Sequence, residues 1–382
     1  MLCYFTKGSK DKMKNNFCEM INIDNFGDVA EGNPDEEKGE DEELKVDVLK
    51  AELKKRKAQA SKYILDAAKL IAPAIEEDPI DGYNWIIDIL KGSKSRYTGV
   101  QSEIEIKKAV SYINQKDIEK AIETLKAFEK KDQHMMAIAS TNISFLYFLE
   151  QDYKNSDKYA EIALEYDRYN AKALVNKGNC LFMKNDFRKA KECYLEAIGV
   201  AADCIEALYN LSLVNKRLNS FHDALIALDK LQTIVDKNPE VIYQIASLHD
   251  MMNNTKLARK WFVILLTYCP NDPSIHARIG GLYALDQDES QAFHHYNQSY
   301  RLLPINIETI AWLGIYNVKQ GIYDKARTYF ERASQVQPKE VKWKLMVASC
   351  YRRMNDLDKS LKIYEEIYQE NPENLECLRF LV

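Results

Sequence analysis

The sequence predicts an all-α, superhelical solenoid of tandem helix-turn-helix repeats, and three observations carry that prediction. Pro270, Pro304, Pro338 and Pro372 stand 34 residues apart. Ala190, Ala224, Ala258, Ala292 and Ala326 keep the same 34-residue step. Between these markers, apolar and small residues recur at the i, i+3, i+4, i+7 spacing of one helix face. A common period in independent residue classes is what one supersecondary unit copied end to end produces.

A helix-turn-helix unit of 34 residues is the tetratricopeptide repeat. Counted from first positions at Ala171, Ile205, Pro239, Pro273, Ile307 and Val341, positions 4, 7, 8 and 11 form one face of the first helix. In the repeat from Pro273 these are His276, Ile279, Gly280 and Tyr283. Positions 20, 24 and 27 do the same for the second helix, with Ala292, Tyr296 and Ser299, then Ala326, Phe330 and Ala333. Gly178, Gly280 and Gly314 at position 8, set against alanine at position 20, let two backbones approach, and a large residue at position 24 fills the space beside them. Proline at position 32 ends the second helix, because it lacks an N–H and disfavours helical geometry in the residue before it. Run backwards, the columns reach Ser156 and, displaced by one residue, Ala121, so about eight repeats span residues 102–374. Leu378 and Leu381 fall at positions 4 and 7 of a ninth, and residues 375–382 read as its truncated start. The expectation is a fragment or a prematurely terminated form, since such arrays finish in a polar capping repeat.

Ahead of the repeats, the acidic run from Glu31 to Glu43 is broken only by Lys38 among basic residues and cannot bury enough apolar surface to fold. Residues 1–43 therefore read as a disordered acidic segment, either a solvated linker or a docking tail for a basic partner. From Leu44 to Ala72 there is neither Pro nor Gly, and Leu44, Val48, Leu49 and Leu53 recur at helical spacing, so a helix is expected until Pro73 and Pro79 break it. Gly82 to Ile87 opens a shorter helix ending near Gly92. Residues 44–101 read as a helical lead-in that caps the first repeat, with a partner-binding coiled coil as the alternative.

A net charge of −5 without a basic stripe argues against nucleic-acid binding. The longest apolar stretch, Trp261 to Cys269, is too short to cross a membrane, and Met1 to Lys10 lacks the apolar core of a secretion signal, so a soluble intracellular protein without membrane insertion is expected. Eight scattered cysteines include no Cys-x-x-Cys pair and read as free thiols. There is no phosphate-binding loop and no His-Glu-x-x-His. His294 and His295 are adjacent and point to different helix faces, while His249 and His276 fall in packing columns. Neither a catalytic residue, a cofactor nor a metal is expected, and the chain does not read as an enzyme.

The informative polar column is position 6 of the first helix, which runs Asn142, Asn176, Asn210 and Gln244, then Arg278, Trp312 and Met346. A carboxamide offers both donor and acceptor and can pair with the backbone of an extended peptide; the alternative is a row of solvated surface amides. The clamp by which chaperone adaptors of this repeat class hold an acidic C-terminus would fall on Val175, Asn179, Asn210, Glu240 and Gln244, where both amides match and all three cations are missing. One repeat pair earlier, Lys107, Ser111, Asn142, Lys172 and Asn176 match in part, which keeps an adaptor for chaperone C-terminal peptides as the alternative function.

Several stretches go beyond what packing requires: AAKLIAPAIE from Ala67, GYNW from Gly82, ETLKAFEKKD from Glu123, EALYNLSL from Glu206, YFERASQVQPKEVKWKLMVASCYRR from Tyr329, and NPENLECLRFLV at the end. In these words the chain resembles the tetratricopeptide-repeat subunit of intraflagellar-transport complex B, the Polaris family, from about Lys62 to Val382. The resemblance implies a non-enzymatic scaffold for cilium and flagellum assembly and cargo transport, located in the cilium or flagellum, basal body and cytoplasm. It implies other complex-B subunits as partners and, through them, kinesin-2 and ciliary cargo. No family motif maps binding residues one by one onto this chain.

Overall fold

A computed structural model describes residues 2–22, 40–92, 97–130 and 133–381. Among them every regular element is a helix, and the chain divides into two compact units, Met1–Ala207 and Leu208–Val382. In each, the helices run as an all-α solenoid of tandem helix-turn-helix repeats.

The first unit opens with α1 (Leu2–Thr6), α2 (Lys10–Ile21), α3 (Glu40–Ile75) and α4 (Pro79–Gly92). It continues with α5 (Thr98–Asn114), α6 (Ile118–Lys126), α7 (Gln133–Leu149), α8 (Tyr153–Tyr166), α9 (Ala171–Met183) and α10 (Phe187–Val200). Two expectations change here. Residues 1–43 are not disordered throughout: α2 places Met13, Phe17 and Ile21 four residues apart on one face, and all three are buried with Ile64, Ala68, Ile71 and Ile75 of α3. Lys14 of α2 also pairs with Glu76. Of the acidic run, residues 31–39 lie outside the described residues, and Glu40 to Glu43 form the first turn of α3. Pro73, expected to break the helix, lies inside α3, which ends two residues later at Ile75; Pro79 instead begins α4, a position whose N–H has no helical acceptor anyway. At Gly82 of α4 an added Cβ would overlap the Ala72 carbonyl oxygen, so the two helices touch backbone to backbone.

The second unit begins within α11 (Ile205–Arg217) and continues with α12 (Phe221–Ile234), α13 (Pro239–Met251), α14 (Thr255–Tyr268), α15 (Pro273–Leu285) and α16 (Glu289–Leu302). It ends with α17 (Ile307–Lys319), α18 (Tyr323–Val336), α19 (Val341–Arg353), α20 (Leu357–Glu370) and α21 (Leu375–Leu381). From α9 onward, each first helix starts on the first position counted from the sequence period.

Capping fixes those starts. Asn170, Asn238, Asp272 and Asn306 each accept a backbone N–H from the first turn of a first helix, and Asp152, Asp186, Asp288 and Asp356 do so for second helices. The turn inside each repeat reverses through one left-handed residue at position 15: Lys116, Gln151, Asn185, Asn219, Asn253, Gln287, Gly321 and Asn355. Asparagine and glycine tolerate that conformation best and hold five of the eight places.

Candidate functional site

Position 8 sets how closely each helix pair packs. A Cβ on Gly178 would stand 2.6 Å from Cε1 of Tyr194, one on Gly280 would stand 3.0 Å from Cδ2 of Tyr296, and one on Gly314 would stand 2.5 Å from Cε1 of Phe330. The missing side chain is the seat of the aromatic at position 24. Ala190, Ala224, Ala258, Ala292 and Ala326 are fully buried beside them. Where serine replaces both small residues, Ser144 and Ser156 each donate to the other's backbone carbonyl at 2.8 Å, satisfying two buried hydroxyls.

The position-6 amides do not form one uniform wall. Asn176 is only 8% exposed, and its Nδ2 donates to the Thr141 carbonyl at 2.9 Å, which braces α9 against α7. So placed, Asn176 gives its Nδ2 to the fold and not to an extended peptide. In the same unit Asn142 is half-buried on α7. In the second unit Asn210 is half-buried, and Gln244 uses both ends of its amide: Oε1 accepts from Lys216 Nζ at 3.1 Å, and Nε2 donates to the Tyr209 hydroxyl at 3.5 Å. Further along the column, Trp312 stacks between Tyr296 and Tyr316, and Tyr316 stacks on Phe293.

Sequence spacing missed a histidine pair. His276 on α15 and His295 on α16 meet with their Nδ1 atoms 3.2 Å apart, and Tyr283, itself under the Arg259 guanidinium, stacks on His295. Burial, with His276 and His294 beside it, pushes the His295 imidazole down to about 4. Positions 4 and 23 of one repeat meet only when its two helices fold against each other, so no linear motif announces the pair. Among the described residues no group of three or more His, Cys, Asp or Glu is arranged to hold a metal ion, and no helix is long and apolar enough to cross a membrane.

Models of the tetratricopeptide repeat match residues 106–132, 171–204 and 313–374. The human intraflagellar transport protein 88 homolog is 43% identical over 385 residues, covering 100% of this chain and 46% of that protein. The bovine BBSome complex member BBS4 is 20% identical over 225 residues, 59% of this chain and 43% of its own. The chain thus spans about half the length of the curated relatives it matches. Among solved structures, the C-terminal part of a repeat-containing protein from Cytophaga hutchinsonii shares the fold at 15% identity, with a TM-score of 0.54 over 62% of this chain and 97% of that one. Period, helix-pair packing and these likenesses converge: the chain is a tetratricopeptide-repeat protein, related along its whole length to the human intraflagellar transport protein 88 homolog.

Proposed function

We propose that this chain is a non-enzymatic scaffold that holds partner proteins on its repeats within intraflagellar-transport complex B. Its partners are then other complex-B subunits and, through them, kinesin-2 and ciliary cargo, and its place of action is the cilium or flagellum, basal body and cytoplasm. The observation that carries this reading is the 43% identity to the human intraflagellar transport protein 88 homolog, which extends over the helical lead-in as well as the repeats. Repeat packing alone accounts for small residues at positions 8 and 20; it does not account for 43% identity over the whole chain.

The chaperone-adaptor alternative gains no support, since Val175 is buried and Glu240 lies exposed where the clamp needs cations. The test is the position of the fluorescently tagged chain in ciliated cells. Enrichment at the basal body and along the axoneme is the expected result. An even cytoplasmic distribution with an intact fold would contradict the transport reading.

A further inference from the structure

The first helices of three consecutive repeats in the second unit bring together a polar cluster with surplus positive charge. Lys216 near the end of α11 points its ammonium at α13, where it donates to Gln244 Oε1 at 3.1 Å and to Ser247 Oγ at 2.9 Å. Both acceptors are neutral. Gln244 reaches back to the Tyr209 hydroxyl on α11. Arg278, at the same column as Gln244 one repeat later, adds a second cation; its side chain is 61% exposed and reaches Asp250 only at 3.9 Å.

An ammonium drawn out of water is stable when a counter-charge or good hydrogen bonds replace its hydration. Here the replacement is incomplete: two hydrogen bonds to uncharged groups, and no ion pair to Lys216 among the described residues. Burial first, then the charges of Arg217 and Arg278, hold the Lys216 amine below the ordinary lysine range. An incoming carboxylate supplies the missing negative charge and accepts the third N–H.

We propose that Lys216, Arg278, Gln244 and Tyr209 form a binding site for an acidic, extended peptide segment, with a Glu or Asp carboxylate of the partner seated on Lys216 and Arg278. The donors come from successive repeats, so they follow a line along the array, which suits an extended chain better than a compact small anion. The Gln244 amide and the Tyr209 hydroxyl offer hydrogen bonds to the backbone on either side. This site differs from the chaperone clamp, whose three cation positions this chain fills with Val175, Glu240 and Gln244, because its cations, Lys216 and Arg278, stand at other places, and it rests on the protein-binding reading above while naming the chemistry of the partner.

The experiment measures fluorescence anisotropy of the full chain with two labelled decapeptides, one alternating Glu and Ser and the other Gln and Ser, at low and high salt. The Glu peptide should bind more tightly than its Gln counterpart, and the preference should shrink with salt. Lys216→Met should weaken the Glu peptide by roughly 10- to 100-fold, the range for losing a hydrogen bond to a charged group. Arg278→Gln, at an exposed position that does not endanger folding, should weaken it in the same direction, while Lys319→Gln should leave it unchanged. Circular dichroism checks that each variant keeps its helix content. Equal binding of the two peptides, no binding of the Glu peptide, or full binding by both folded Lys216→Met and Arg278→Gln would overturn the site. Affinity capture separates the two readings. If the wild type and Lys216→Met recover the same complex-B subunits equally, the scaffold stands and the site falls; if the Glu peptide binds but no such subunit is recovered, the site stands and the scaffold falls.

Discussion

At Gly314 an added Cβ would lie 2.5 Å from Cε1 and 2.7 Å from Cζ of Phe330, distances that real Cβ contacts do not show. Helix propensity favours alanine over glycine by about 1 kcal/mol, so without that contact Gly314→Ala would stabilise α17. Overpacking of this kind costs about 1–3 kcal/mol and should prevail. Gly314→Ala is therefore expected to lower the denaturation midpoint, and Gly280→Ala, whose nearest contact is 3.0 Å, to lower it less. A rise in both would show that the position-8 seat is roomier than described.

The histidine pair gives a second residue-scale expectation. In the unfolded chain His295 takes its proton near 6.5, whereas in the fold it stays neutral down to about 4. Between those values the unfolded state binds more protons, so stability rises with pH across the window and is lost as pH falls through it. His276 is shifted the same way, chiefly by burial. Melting followed from pH 7 to pH 4 should show a steeper loss for the wild type than for His295→Phe, which keeps a ring against Tyr283 without the proton. Parallel curves would remove the pair from the account of acid sensitivity.

For the helices, legibility followed the strength of the period. Positions 8, 20 and 24 were readable from the sequence because a helix pair with an aromatic wedge has room for few side chains there. The turn residue at position 15 was harder to see, since lysine and glutamine share the column with asparagine and glycine. α2 was hidden by averaging: Met13, Phe17 and Ile21 have helical spacing, but taken as one block with the acidic run they sit in a stretch of low hydrophobicity. Lys14 and its pairing with Glu76 depend on a distant partner that local composition does not show. The position-6 amides were legible as a column and not as contacts, because the Thr141 carbonyl that Asn176 engages is backbone and leaves no mark in the sequence. Phe17 is fully buried, so Phe17→Ala should cost about 3–5 kcal/mol if α2 is part of the folded unit, and a segment of no structural consequence would show no change. Gly82→Ala should likewise force α4 away from α3, with amide exchange of α4 reporting the separation, because the obstructing atom is the Ala72 backbone oxygen and cannot rotate aside.

On the scale of the whole molecule, each repeat is stabilised by itself and by its neighbours, so damage should stay near its source. Hydrogen exchange of a Gly314→Leu variant should show lost protection in α17, α18 and their neighbours in the second unit, while α3 and α4 keep theirs. If this array is a protein scaffold of intraflagellar transport, as proposed, affinity capture from ciliated-cell lysate with the wild-type chain as bait, read by mass spectrometry, should recover complex-B subunits enriched over a folded repeat array of unrelated sequence. Chaperones alone, or the same proteins on both baits, would contradict it.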